Sequence, residues 1–273
     1  MTALGERYLR LLGVEDRSAG LPGLRAVVRA HLARVPFENV SKLLLYGRAR
    51  VAHVTSLDEF LDGIELADLG GTCYTNNPFL AGLLRELGYD AELLGADMSR
   101  PDVHACIRVR IDGIAYHVDV GFAAPFREPL PWDALPARVD EGENHYLFES
   151  EGRGVRVSMN SRGTYEVGYF AHEPPRAREF FDAAVRASYQ PDSTFLQCLR
   201  ISRVWPAYSL DLMDARLYRH EAGRTHVTRL TKMAQLKAAV RDELQMPRCP
   251  IEAAVEILEG LTGKPFFGGD GAL

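Results

Sequence analysis

Asp112-Gly113 stands between two runs of alternating residues, 104–111 and 114–120. The dipeptide is the signature of a two-residue type I′ hairpin turn. It predicts a register in which Ile111 lies opposite Ile114, Cys106 opposite Asp119 and His104 opposite Gly121. A slip of one residue would exchange the two faces of the hairpin, so the register constrains everything built on it. One face carries Ala105, Ile107, Val109 and Ile111 with Ile114, Tyr116, Val118 and Val120. The other carries His104, Cys106, Arg108 and Arg110 with Ala115, His117, Asp119 and Gly121. His104 and Asp119 become diagonal neighbours with Cβ atoms roughly 6–8 Å apart, close enough for an imidazole to meet a carboxylate.

Upstream, Gly70-Gly71 leads into Thr72-Cys73. A cysteine nucleophile needs a base that makes the thiolate and a third group that holds the base in one tautomer. Cys73, His104 and Asp119 supply those roles. Cys73 falls at or just before a helix rich in leucine (Leu80, Leu83, Leu84, Leu87), whose unsatisfied N–H groups would favour a thiolate. Pro78 leaves two arrangements open. Either the helix starts at Cys73 and loses a hydrogen bond at Pro78, or a short turn precedes a helix capped by Asn77.

The rest of the first third reads as helical, with Leu24, Val27, Val28, His31, Leu32 and Val35 at helical spacing and a capping box at Ser56-Leu57-Asp58-Glu59. His31, on an apolar face, reads as a packed histidine. Short strands follow from about residue 91 to 166, the pattern of a small barrel or sandwich. A helix is expected over 176–187, then strands over 196–204, 215–220 and 225–229 with helices over 233–244 and 251–261. The expected fold class is α+β.

At 273 residues, 47% hydrophobic and 25% charged, the chain has enough apolar mass for one large core or two to three small ones. A net charge of −5 without a basic stripe argues against a nucleic-acid surface. The first thirteen residues lack the apolar core of a signal peptide, and no run approaches the roughly 18 apolar residues of a membrane span. A cytoplasmic protein is expected. The four cysteines show no paired spacing, and His104-x-Cys106 alone is too little for a metal, so neither disulfide nor metal is expected.

Three segments together resemble the arylamine N-acetyltransferase family: residues 35–40 (VPFENV), residues 70–73 (GGTC), and residues 118–122 (VDVGF) with His104 upstream. Weaker agreement continues through Asp192-Ser193-Thr194-Phe195, so the resemblance covers nearly the whole chain. It implies a helical bundle carrying the cysteine (1–88), a β-barrel carrying the histidine and aspartate (89–188) and an α/β lid (189–273). It also implies transfer of an acetyl group from acetyl-CoA, a co-substrate rather than a bound cofactor, to an aromatic amine or hydrazine. Cys73 would be the acylated nucleophile, His104 the base and Asp119 its orienter. Phe37 and Phe122 would line the acceptor pocket, and Gly121 would contact CoA.

The chain also departs from the family's pattern. Leu69 and Leu11 stand where the family has arginines that pair with the glutamate matching Glu38. Glu38 must therefore find other partners, Arg10 and Arg34 being candidates, or reach water, or be protonated. Tyr74 and Thr75 follow the cysteine where phenylalanine and glutamate are usual, and Ala123 replaces a glycine near the CoA pyrophosphate. These changes keep three rivals in view: an amide synthase of the same superfamily acting on a carrier-bound polyketide, a Cys-His-Asp hydrolase or transglutaminase-like enzyme, and a non-catalytic binding protein.

Overall fold

The computed structural model describes residues 1–15, 17–49, 52–161 and 164–268. The chain opens with α1 (Ala3–Leu12), α2 (Leu21–Arg34), the short strand β1 (Phe37–Glu38), α3 (Val40–Ala49), α4 (Leu57–Ala67) and α5 (Cys73–Glu86). Their ends follow local chemistry. The Thr2 side chain caps α1, Gly13 ends it in the left-handed region, and Ser56 and Glu59 form the expected reciprocal box on α4. At α5 the first of the two arrangements is found. Thr72 is the N-cap, Cys73 is the first helical residue, and Pro78 lies inside the helix.

Eight strands follow: β2 (Asp90–Asp97), β3 (His104–Ile111), β4 (Ile114–Val118), β5 (Leu130–Pro131), β6 (Ala137–Glu141), β7 (Asn144–Glu151), β8 (Gly154–Ser161) and β9 (Thr164–Arg176). They form one antiparallel sheet in the order β5-β4-β3-β2-β9-β8-β7-β6. The sheet curls round a core that includes Leu94, Cys106, Phe126, Tyr146, Phe148, Val157 and Tyr169. Asp112 and Gly113 both have positive φ, 50° and 83°, and the β3–β4 ladder runs from Ile111↔Ile114 to Ile107↔Val118, the register read from the turn. Its apolar face (Ala105, Ile107, Val109, Tyr116, Val118, Val120) joins the core of α1, α2, α4 and α5. The hairpin is thus the wall between helices and barrel.

The last part holds α6 (Asp182–Ala187), β10 (Arg200–Val204), β11 (Tyr208–Met213), β12 (Arg216–Glu221), β13 (Arg224–Arg229), α7 (Met233–Ala238) and α8 (Ile251–Thr262). Its antiparallel sheet has the order β1-β10-β11-β12-β13, so β1 crosses to it from the N-terminal third. α3 goes with it, burying Val40, Leu43 and Tyr46 among Leu199, Ile201, Leu212 and Leu258.

Several elements differ from the sequence reading. The helix expected over 176–187 begins at Asp182, because β9 continues through Pro174-Pro175 and pairs Pro175 with Leu94 and Arg176 with Leu93 before a 3-10 turn at Arg178–Phe181. Proline suits the extended backbone here, beside a register shift where ladder donors are not all required. β11 was not foreseen. β10 starts at Arg200 rather than 196, and the helix expected over 233–244 gives way to a π turn at Ala239. No helix among the described residues is long and apolar enough to cross a membrane.

His31 is the packed histidine expected. It is fully buried, its Nδ1 lies 2.9 Å from the Tyr8 hydroxyl, and burial lowers its pKa to about 3. His117 is similarly held neutral by burial, to about 4. An unfolded histidine protonates near pH 6.5. Between that pH and the folded values the unfolded chain binds more protons, so stability falls as pH falls. Urea unfolding is expected to weaken steadily from pH 6.5 to 4.5. His31→Gln is expected to flatten that slope by one proton, about 1.4 kcal/mol per pH unit. An unchanged slope in the variant would contradict a neutral His31.

Candidate active site

His104 and Asp119 face the barrel interior, and both are almost wholly buried. His104 Nε2 lies 2.8 Å from Asp119 Oδ2. That contact occupies one ring nitrogen and leaves Nδ1 free of Asp119. Asp119 Oδ1 accepts from Asn77 Nδ2 at 2.8 Å and from the Gly121 N–H at 2.9 Å, so the carboxylate cannot rotate away. Cys73 comes from the other side, as the first residue of α5. Its own N–H and that of Tyr74 have no acceptor within the helix, which suits them to a negatively charged sulfur or oxygen.

The electrostatics follow from this burial. Desolvation opposes a charged imidazole, but the charge of Asp119, the proximity of Cys73 and the hydrogen bond to Asp119 outweigh it and raise His104 to about 10. Asp119 is likewise opposed by desolvation, yet His104 and Asn77 hold it below the usual carboxylate range. The arrangement favours an imidazolium beside the Asp119 carboxylate over a neutral ring.

Asn77 was read from sequence only as an alternative helix cap. Here it is the fastener between α5 and the strand bearing Asp119. Besides Asp119 it bonds the Ala105 carbonyl at 2.6 Å and accepts from the Val120 N–H at 2.9 Å. Its neighbour Asn76 reaches the carbonyls of Pro36, Gly71 and Val120. Tyr169 was also missed. Its ring lies 4.7 Å from that of His104, and its hydroxyl is 2.8 Å from His117 Nε2. No local spacing announces either residue, since both act across the fold.

The other sequence candidates divide. Phe122 lies against His104 with ring centroids 5.6 Å apart. Phe37 instead packs edge-on to Phe195 at 5.7 Å, beside the backbone of Gly71. Gly121 touches the nucleophile's helix. A Cβ on it would fall 2.5 Å from both Cys73 Cα and Asn77 Nδ2. Cys106 is fully buried in the barrel core, and burial pushes its thiol well up, as fits an inert neighbour. Among the described residues, one group could reach a common metal ion: Asp97, Asp102 and His172, outside the Cys73 site. There His172 already bonds Asp97 at 2.8 Å.

On the approach to Cys73, neither Gly70 nor Gly71 has a positive φ. They allow close packing instead: β1 runs alongside as a parallel bridge at Phe37, and a Cβ on Gly70 would collide with the Pro36 carbonyl oxygen. Nor does an arginine meet Glu38. Its carboxylate accepts from the Ser41 N–H at 2.8 Å and the Gly70 N–H at 3.1 Å. Arg10 is exposed, and Arg34 is turned to Ile64 O and Asp68. Burial raises the Glu38 pKa against the opposing pull of these backbone bonds. Leu69 and Leu11, at the family's arginine positions, simply join the apolar cores.

Residues 20–247 match the family described as N-acetyltransferase. The chain belongs to the N-acetyltransferase family. It is 28% identical over 249 residues to an arylamine N-acetyltransferase of Mycolicibacterium smegmatis, covering 85% of this chain and 88% of that one. It is 33% identical over 147 residues to an N-malonyltransferase of Fusarium pseudograminearum, covering 44% and 41%. The fold is similar to that of the Mycobacterium marinum arylamine N-acetyltransferase solved in complex with CoA, with a TM-score of 0.76, 22% identity and coverage of 94% and 97%. The resemblance to arylamine N-acetyltransferases, the acyltransferase class and the α+β fold therefore stand.

Asn77→Ala leaves Asp119 short of one donor and orphans the Ala105 carbonyl and the Val120 N–H. The variant is expected to lose about 1–3 kcal/mol of stability and to alkylate more slowly at Cys73, read by iodoacetamide kinetics at pH 7. Gly121→Ala is expected to slow alkylation while leaving His104 and Asp119 in place. Wild-type reactivity in both variants would show that neither residue seats the site.

Proposed function

We propose that the enzyme transfers an acetyl group from acetyl-CoA, through a thioester on Cys73, to an aromatic amine or hydrazine. The single observation that carries this reading is the buried His104–Asp119 pair at 2.8 Å, with Asn77 of α5 bonded to the same Asp119 carboxylate and Cys73 the first residue of that helix.

In the reactive ion pair the thiol proton already rests on His104, and the thiolate attacks the thioester carbonyl of acetyl-CoA. The N–H groups at the start of α5 steady the oxyanion. CoA leaves with the proton from His104. Thioester exchange is close to isoenergetic, so the acyl-enzyme can wait. The neutral amine then attacks, its proton goes to His104, and the Cys73 thiolate is released. Phe122, against the imidazole, is suited to an aromatic acceptor, and Phe37 stands on the far side of Gly71. Gly121 serves close approach of CoA to the site, with Ala123 reshaping the loop beyond it.

The three-part division, 1–88, 89–188 and 189–273, belongs to the same reading, with residues 37–49 packed on the third part. So does a cytoplasmic location, where thiols stay reduced and acetyl-CoA is supplied.

Intact mass after mixing with acetyl-CoA tests the first half-reaction. One added acetyl group is expected, absent in Cys73→Ala, and Asp119→Asn is expected to slow acylation by about 10³-fold or more. No acetyl gain in a protein still alkylated at Cys73 would overturn the donor. With His104 raised to about 10, the imidazolium persists above neutrality. Single-turnover acylation is therefore expected to stay level from pH 6.5 to 9 and fall as His104 loses its proton near 10. A rate that rises through pH 6.5, the range of an ordinary histidine, would contradict the ion-pair reading.

A further inference from the structure

A small pocket lies behind the turn that carries the nucleophile. Its walls come from α3, residues 53–55, residues 71–75 and the end of α6. Cys73 does not line it, although both of its chain neighbours, Thr72 and Tyr74, do. The pocket is therefore a space apart from the reactive sulfur. Its polar lining is one-sided. Five of its wall residues carry aliphatic hydroxyls and one carries an ammonium, but none carries a carboxylate.

That ammonium belongs to Lys42, which is only 8% exposed. Of its three N–H donors, one goes to Ser188 Oγ at 2.6 Å, and that hydroxyl donates onward to the Val185 carbonyl at 2.6 Å. The charge also lies 4.6 Å from the centre of the Tyr189 ring. Both partners are neutral. Among the described residues no carboxylate pairs with Lys42: Glu38 is committed to backbone amides, and Glu59 is held by His53. A buried cation with neutral partners alone is costly. Thr72 adds an uncommitted hydroxyl, for it stands at the N-cap of α5 without a side-chain capping bond.

Size limits what can enter. The space is about 40 Å³. At roughly 10–15 Å³ for each water, it takes about three waters or one anion of about four heavy atoms. An arylamine or the arm of CoA is too large, and phosphate brings a second charge that a single ammonium does not meet. We propose that this pocket binds a small planar oxyanion, a short carboxylate or bicarbonate, on the Lys42 ammonium with the surrounding hydroxyls as further donors. Bound there, the anion links α3, the first turn of α5 and the end of α6, bracing the nucleophile's turn from behind. No covalent bond changes, and the inference needs neither CoA nor an acyl-enzyme.

The test replaces the sodium salt of Hepes, a sulfonate too bulky to enter, by sodium acetate at fixed ionic strength and pH 7. A saturable rise in Tm is expected, about 3–5 °C at roughly tenfold excess over the dissociation constant. Binding is read directly by line broadening of ¹³C-acetate. Both signals are expected to disappear in Lys42→Met and in Lys42→Gln, which keeps a donor for Ser188 without the charge, and to persist in Cys73→Ala. Formate and bicarbonate run in parallel identify which source of the oxyanion binds most tightly. No saturable response to any of the three in the wild type would overturn the proposal, as would an equal response in Lys42→Gln. Loss of the response in Cys73→Ala would place the anion at the reactive sulfur and overturn a separate pocket. Chloride acting as strongly as acetate would overturn the assignment to an oxyanion.

Discussion

The β3–β4 hairpin is buried on both faces, and the site depends on that. Its apolar face is fixed to the helical core through Ile107, Val109, Tyr116 and Val118. The opposite face, with His104 and Asp119, is therefore shut away from water inside the barrel. Ionised groups in such a place must find all their partners within the protein. Asp119 does so through His104, Asn77 and the Gly121 N–H. Because Asn77 belongs to α5, satisfying the carboxylate also locks the helix that carries Cys73. Burial, charge pairing and alignment of the nucleophile are one arrangement here.

Much of this was legible in the sequence because it is local. Asp112-Gly113 fixes a turn, the turn fixes a register, and the register brings His104 to Asp119. The start of α5 at Cys73 was one of two arrangements that Pro78 left open. What was not legible lies between distant segments. Asn77 looked like a cap because its partners, at Ala105, Asp119 and Val120, are 28 or more residues away. Tyr169 reaches His104 from a strand on the far side of β2. The strand pattern ended near residue 166, whereas β9 runs on through Pro174-Pro175 in pairing with β2.

Glu38 shows how an ion pair can be replaced without losing its role. Where arginines are expected from the family's pattern, this chain has leucines packed in apolar cores. The carboxylate remains, held by backbone N–H groups on both sides. Peptide N–H donors carry no net charge, so they compensate a carboxylate less than guanidinium does, and the Glu38 pKa is raised accordingly. They are, however, part of the very segment that leads to Cys73. The bond to Gly70 ties that segment to β1 through the Glu38 side chain alone, with no second side chain in between.

That tie makes β1 shared property. Phe37 pairs with Ser202 of β10 on one side and bridges to Gly71 on the other, and the Glu38 N–H bonds the Gly71 carbonyl at 3.0 Å. The edge strand of the C-terminal sheet is thus also the floor beneath the nucleophile. A chain that stopped after the barrel would keep Cys73, His104 and Asp119 in its sequence, but the strand seating the cysteine would have lost the sheet it completes. The C-terminal third is therefore not a module that can be traded between proteins, because the nucleophile's own footing is woven into it.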